Sequence, residues 1–321
     1  MHKYRGSIAG FLGGTVYAII FSYLFSIGEK YSINFLEFIS IAMLIILPVS
    51  VGIITVLFLT KEQAINKNIR TFHPWLPVLA WSIISVALSL ETIICIIMLL
   101  PLYLPLSSFG GFLGGYIRRN YCEKTNVGVA SCFAILPLLI APIERPLESP
   151  TLFYSASNTI EIYAPVEKVW EEIPNIDNIQ SDELSWNLSH FIGIPKPVSA
   201  ITKKLKVGGL RELSWERGVH FQEKITELTA NKKLAYQVIV DQESMSIAEL
   251  DTHIVVGDKY FDVLSGSYEL EFIDGITYLS LTTDYRMTSK VNWYGSLWAN
   301  YVLDDFHMSV LNLIKNRVEK I

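Results

Sequence analysis

"NTIEIYAPVEKVWEEI", residues 158–173, is the stretch on which the reading of this 321-residue chain turns. Its first half alternates apolar and polar residues with the period of a strand. Its second half carries Val166, Val169, Trp170 and Ile173 at helical spacing. Pro165 suits a first helical turn, where a missing N–H costs nothing. A strand running into a short helix therefore opens the second half of the chain. Upstream, "APIERPLESP" at 141–150 ends a long apolar region in prolines and charges, and marks the border between two differently built halves.

Beyond the opening come "LRELSWE", "VHFQEKITEL", "KLAYQVIV", "ELDTHIVV", "YFDVLSGSYELEFI" and "TYLSLTTDYRM", separated by turn signals at Arg217-Gly218, Ala230-Asn231, Gly257-Asp258 and Asp274-Gly275. This pattern predicts an antiparallel meander. Tyr268, Leu270 and Phe272 fall on one side of a strand, and Ser267, Glu269 and Glu271 on the other. The chain closes with a helix over about Asn292–Lys320, whose Leu297, Val302, Phe306, Val310, Leu313 and Ile314 make one broad apolar face. A single curved sheet has one face to bury, and such a helix can close it, leaving a tapering space between them.

The order strand, two short helices, meander, long C-terminal helix resembles the START-like, polyketide cyclase/dehydrase and lipid-transport superfamily, also called SRPBCC. The resemblance is carried by "IEIYAPVEKVWEEI" and by "GGLRELSWERGVHFQEKITELTANKKLAYQV", and it covers roughly residues 155–321. "HIVVGDKYFDVLSGSYEL" and "NWYGSLWANYVLDDFHMSVLNLIKNR" look like an uncharacterised bacterial branch with an N-terminal membrane region. The resemblance implies a helix-grip fold with an apolar cavity for lipids, sterols, polyketides or other hydrophobic molecules. Members range from carriers to cyclases, so the fold leaves the function open.

The first half has a different composition. Hydrophobic residues make up 51% of the chain and the mean hydropathy is +0.36, too apolar for an ordinary soluble protein. Residues 1–150 hold 10 Lys/Arg and 7 Asp/Glu, against 16 and 24 in residues 151–321. The acidic second half is repelled by phosphate backbones, which argues against nucleic acid as a partner. The apolar runs predict five membrane spans, at 8–27, 35–59, 76–99, 104–117 and 127–143, with a break near Pro101–Pro105. The first, behind the basic "MHKYRG", reads as an uncleaved span.

Basic residues gather at Lys3 and Arg5, at Lys61, Lys67 and Arg70, and at Arg118, Arg119 and Lys124. Only five spans put all three clusters in the cytoplasm, and the second half then lies outside; four spans would put it in the cytoplasm. The expected fold is thus an α-helical membrane bundle over residues 1–147, followed by an α+β helix-grip domain over 152–321. Its expected home is the bacterial cytoplasmic membrane, with the domain on the periplasmic or extracellular side. GFLGG occurs twice, at Gly10–Gly14 and Gly111–Gly115, either as helix-packing faces or as a chance repeat. Glu91 is an ionisable group at membrane depth, functional if embedded and merely interfacial if at a turn. Cys95, Cys122 and Cys132 read as small buried hydrophobes.

Several residues are candidates for chemistry. His220 or His253 with a carboxylate such as Glu216 would suit acid–base work. Arg211, Trp215, Tyr236, His253, Tyr260, Tyr285, Arg286 and Trp298 are candidate ligand contacts, though strand charges commonly face solvent and aromatics commonly fill a core. The loop "GIPKPVSAI" at 193–201 is a candidate rim. No zinc-type spacing, nucleophile elbow or phosphate loop occurs, so neither metal nor cofactor is expected. Three functions remain: a membrane-tethered carrier or sensor of a hydrophobic small molecule or lipid; a cofactor-independent cyclase, dehydratase or hydrolase; and a ligand-free module that docks a partner.

Overall fold

The computed structural model describes residues 2–31, 39–121, 127–144, 146–240 and 256–319. The expected strand "ELDTHIVV" lies almost entirely outside these residues, as do His253, Cys122 and Lys124. The chain divides into two compact units, Met1–Ser149 and Pro150–Ile321.

Among its described residues the first unit consists of helices joined by turns. Helix α1 covers His2–Lys30; a π-helical turn at Ala42–Ile46 runs into α2, Leu47–Leu57; α3 and α4 are the short Lys61–Ile65 and Lys67–Phe72. They are followed by α5, Trp75–Ala87, α6, Ile93–Asn120, α7, Val127–Ala134, and α8, Leu136–Glu144. Two helices, over Arg5–Gly28 and Ile93–Asn120, are long and apolar enough to cross a membrane. The helix break falls at Leu88–Thr92, where Ser89 adopts a positive φ and Thr92 caps α6 through the Cys95 N–H. Pro101 and Pro105, where a break was expected, lie inside α6. Each removes its own donor from the ladder, Pro101 the one that would reach the Ile97 carbonyl and Pro105 the one that would reach the Pro101 carbonyl.

Glycine lets these helices touch. A Cβ at Gly10 would strike the Thr55 carbonyl, and one at Gly14 the Thr55 hydroxyl and Pro77. Gly111 and Gly115 lie against Arg70 in the same manner, so both copies of GFLGG are packing faces. The outer surface is apolar: Ile8, Leu12, Val16 and Ile20 line one side of α1 and are all half-exposed or more. Cys132 is exposed on this surface and Cys95 is buried.

Contacts order the two ends of the bundle. Gly6 abuts the Phe58 carbonyl, Ser7 meets His73, Arg118 Nε donates to the Leu59 carbonyl, and Gly115 abuts the Arg70 side chain. The start of α1, the end of α2, α3–α4, the start of α5 and the end of α6 therefore share one end. Arg5, Lys61, Lys67, Arg70, Arg118 and Arg119 belong to that end. At the other end the Glu144 carboxylate accepts from the Ile41 and Ala42 N–H groups, where it caps the helix that becomes α2.

The second unit opens with β1, Thr151–Ile162, and α9, Val166–Glu172. Then come β2, Asn175–Ile176, α10, Leu188–Phe191, β3, Pro197–Thr202, β4, Leu210–Trp215, β5, His220–Thr229, β6, Lys233–Val240, β7, Phe261–Ile273, β8, Ile276–Thr288, and α11, Asn292–Glu319. The strands form one antiparallel sheet in the order β1-β8-β7-β6-β5-β4-β3-β2. Bulges at Ile225/Glu227 and Val263/Ser265 add curvature. The β7–β8 hairpin turns on Asp274 and Gly275, both at positive φ as a two-residue turn of this kind requires. Helix α11 lies across the inner face, which gives the curved half-barrel gripping one helix.

Candidate functional site

Alternation along the strands selects which side chains face α11. Those of β8 are Thr277, Leu279, Leu281, Thr283 and Tyr285, all buried. At one end the space is filled: Ile162, Val169, Ile173, Leu234, Leu279, Leu281, Leu311 and Leu313 are 0% exposed and pack into a single core. Towards the other end the same inward positions lose their cover. On β6 the sequence runs from buried Leu234 and Tyr236 to half-buried Val238 and Val240; on β4 from buried Arg211 to half-buried Leu213 and Trp215; on β5 from buried Ile225 and Glu223 to half-buried Phe221. Phe261, Met287, Val302 and Phe306 are half-buried at the same end. Burial is therefore complete at one end of the grip and declines on β4, β5 and β6 towards the other, the open end, where Tyr285 of β8 nonetheless stays fully buried beside half-buried Phe261 and Met287.

Polar groups line the transition. Arg211 and Glu223 face each other across β4 and β5, and Arg211 Nη1 donates to Glu223 Oε2 at 2.8 Å with both side chains almost fully buried. Arg211 Nη2 donates to the Ile173 carbonyl at 2.9 Å, and the guanidinium sits over the Tyr268 ring. Burial opposes the Arg211 charge, but Glu223 and the two tyrosines outweigh it and hold the guanidinium's affinity for its proton above the usual value. Burial pushes the Glu223 carboxyl up while Arg211 pulls against it. Burial also raises the Tyr236 and Tyr268 phenols, which remain neutral. Tyr236 is opposite Gly266, where an added Cβ would meet its ring; the missing side chain makes room for the aromatic.

Two ring nitrogens at the open end are buried without a hydrogen-bond partner among the described residues: Trp215 Nε1 and His190 Nε2. Trp215 packs on Phe306 of α11 with ring centroids 5.1 Å apart. His190 rides on α10, which Asn187 caps and which Asp305 of α11 holds through the Ser189 N–H and hydroxyl. His190 Nδ1 lies 3.1 Å from the Ile194 carbonyl, which can only accept; Nδ1 thus carries the proton and Nε2 presents a lone pair. Burial lowers the His190 pKa and favours this neutral form.

The other candidates are spread more widely. Tyr285 is fully buried, stacks on Tyr154 at 5.3 Å and donates to Asn300 Oδ1 at 2.7 Å; burial pushes its phenol up to about 12. Tyr260 is buried under the Lys259 ammonium. Arg286 lies outside the grip, donating to the Asp258 carbonyl and pairing with Asp262 at 3.6 Å. Trp298 is half-buried on α11, edge-on to Tyr301. His220 is exposed, on the sheet face away from α11, with Nδ1 3.3 Å from the Ser214 hydroxyl. Glu216 is exposed in a 3-10 turn and accepts from the Lys196 N–H. Glu91 lies in the break between α5 and α6 and is 6% exposed.

Glu223, Tyr268, His190 and His307 are the polar groups that sequence reasoning passed over. Glu223 could have been found by parity, since it alternates with Phe221 and Ile225. His307 is fully buried between Thr283, 2.7 Å from Nε2, and Asn158, 2.8 Å from Nδ1. Burial lowers its pKa to about 4, so it is a neutral, satisfied core histidine. No group of three or more His, Cys, Asp or Glu suited to a metal ion occurs among the described residues.

No family model matches the chain, and no curated protein matches it. Solved structures do. The ZhuI aromatase/cyclase from Streptomyces sp. R1128 aligns at 15% identity with a TM-score of 0.34, over 53% of this chain and 95% of that one. Truncated norcoclaurine synthase from Thalictrum flavum aligns at 11% identity with a TM-score of 0.32, over 53% and 96%. A protein from Arthrobacter aurescens aligns at 16% identity with a TM-score of 0.33, over 52% and 87%. At this level no activity follows from the likeness.

Proposed function

We propose that the chain is a membrane-tethered binder of a hydrophobic small molecule or lipid, acting as a carrier or sensor. In this reading the first unit crosses a membrane five times, through α1, α2, α5, α6 and α7–α8. Its basic end faces the cytoplasm, and the second unit stands outside. What supports the membrane reading is the apolar outer surface of the helices together with the gathering of basic residues at one end, as lipid and the positive-inside rule require. The last helix finishes at Glu144, at the opposite end. A C-terminal alkaline phosphatase fusion in a bacterial host should be active and a C-terminal green fluorescent protein fusion dark; the reverse pattern would overturn the outside placement.

The observation that carries the binding reading is the loss of burial along the inner face, where apolar walls open above a polar floor. Burying a ligand there gains about 25 cal/mol per Å² of apolar surface. Arg211, Glu223, Trp215 Nε1 and His190 Nε2 are the groups that would orient a polar end of the ligand. Tethering keeps the site at high effective concentration next to a bilayer that dissolves such molecules. A diazirine-bearing fatty acid, photolysed with the full chain and mapped by mass spectrometry, should label Phe221, Val238 or Phe306. Labels confined to the apolar helices would defeat the proposal.

A second reading, an acid–base enzyme, rests on His190, whose neutral ring offers Nε2 as a proton acceptor. It predicts that the molecule extracted from His190→Ala protein differs in mass from that extracted from the wild type; identical species favour the carrier.

A further inference from the structure

We infer that the open end of the second unit is also a membrane-docking surface, seated in the headgroup region of the same bilayer; this rests on the membrane reading above. Residues 292–303 of α11, "NWYGSLWANYVL", contain no charged residue, whereas residues 304–319 contain Asp304, Asp305, Lys315, Arg317 and Glu319. A helix half this apolar would ordinarily turn its oily side chains inwards. Instead Trp293, Leu297 and Tyr301 recur every four residues as an outward stripe, 57%, 61% and 41% exposed. At the start of β1 stand Leu152 and Phe153, 44% and 70% exposed. Tryptophan and tyrosine, apolar bodies with one polar atom, are the side chains that settle where lipid meets water.

The covalent tether selects lipid as the occupant. Asn292, the first residue of α11, donates its side-chain N–H to the Pro150 carbonyl at 2.7 Å. From Pro150 the chain reaches Glu144, the last residue of the apolar α8, in six steps, a span of at most about 22 Å. The first residue of the uncharged half of α11 is thus tied to a segment that begins within that distance of a helix end assigned to the membrane, and Leu297 lies about 8 Å further along the helix. At this range bilayer is present at far higher effective concentration than any soluble partner. The same end is where the grip is open, since Leu152 pairs with Met287 and Met287 with Phe261. A hydrophobic molecule then passes from lipid to cleft without crossing water.

The test uses the full chain, its three native cysteines replaced, in nanodiscs with or without brominated phospholipid. Single fluorescent labels are placed by Leu297→Cys, by Trp293→Cys as a second probe of the stripe, by Glu271→Cys at the closed end and by Ile83→Cys on α5. Brominated lipid should quench the labels at 297 and 293 several-fold more than the label at 271. Quenching at 297 and 293 no greater than at 271, with the label at 83 quenched, would overturn the docking surface alone; a second copy or a protein covering the stripe gives this result. A label at 83 that brominated lipid does not quench would overturn the membrane reading itself, and the docking surface with it.

Discussion

On α1 of the first unit, Ile8, Leu12, Val16 and Ile20 point outwards while Gly10 and Gly14 face α2 and α5. On β6 to β8 of the second, Leu234, Leu279 and Leu281 are sealed inside, while Lys233 reaches outwards to Glu227 and Glu269. On the membrane reading proposed above, both arrangements minimise the free energy of apolar surface, but in different surroundings. Where water is the solvent, oil goes in and burial drives folding. Where lipid is the solvent, oil can stay out, and close backbone approach through glycine does the work instead. The contrast teaches that exposure has no energetic meaning until the solvent on that side is named.

The contrast can be attacked at several points. The largest effect is expected in the second unit, whose buried charge depends on its partner: Arg211→Met should cost about 3–5 kcal/mol by leaving the Glu223 charge in the core without its cation. Chemical denaturation followed by tryptophan fluorescence would measure this, and the double variant Arg211→Met/Glu223→Leu should recover most of the loss. Next comes a lysine placed on the side that the proposal assigns to lipid. Ile83, 70% exposed on α5, should cost about 3 kcal/mol as Ile83→Lys in a membrane-insertion assay.

A third, comparable effect concerns acidity. The pKa of His307 in the fold, about 4, lies below the ordinary 6.5, so folding favours the neutral ring. That stability is complete above about pH 6.5 and is lost as the pH falls towards 4, to a total of roughly 3 kcal/mol. Stability measured across this range in wild type and His307→Gln should converge at the acid end. Smallest of all, Val207→Lys at a site 60% exposed in the second unit should change stability by no more than about 0.5 kcal/mol. If Ile83→Lys and Val207→Lys proved equally harmless, the two surfaces would share one solvent and the contrast would collapse.

Much of the second unit was legible because its signals are local. Period-two alternation around Tyr268 and Leu270, the Asp274-Gly275 turn and most of the apolar face of the last helix each follow from residues a few positions apart; Leu297 and Phe272, expected on the inward faces, are instead 61% and 50% exposed because each lies where its element runs past the packed core. The break in the first unit was misplaced because proline was weighed and capping was not: Thr92, directly before an apolar run, is the N-cap that marks where α6 begins. His190 could not be read at all. Its tautomer is set by a backbone carbonyl at Ile194, and a carbonyl leaves no trace in residue types. Arg211 was legible as a candidate, but its value depends on Glu223 across the strand pair, and register is a property of the folded sheet.

The way α11 is fastened has a mechanical consequence. Along one flank hydrogen bonds tie it down, from Asn292 to the Pro150 carbonyl just before β1, from Tyr285 of β8 to Asn300, and between Thr283 of β8 and His307; on the other, Asp305 and Arg317 hold α10 and Glu183, and β4 is met through the tilted packing of Phe306 on Trp215. Directional bonds resist sliding, whereas ring faces part easily. Sliding of α11 along the sheet is thus opposed along β1 and β8 and through α10, while its direct contact with β4 is the one made of ring faces.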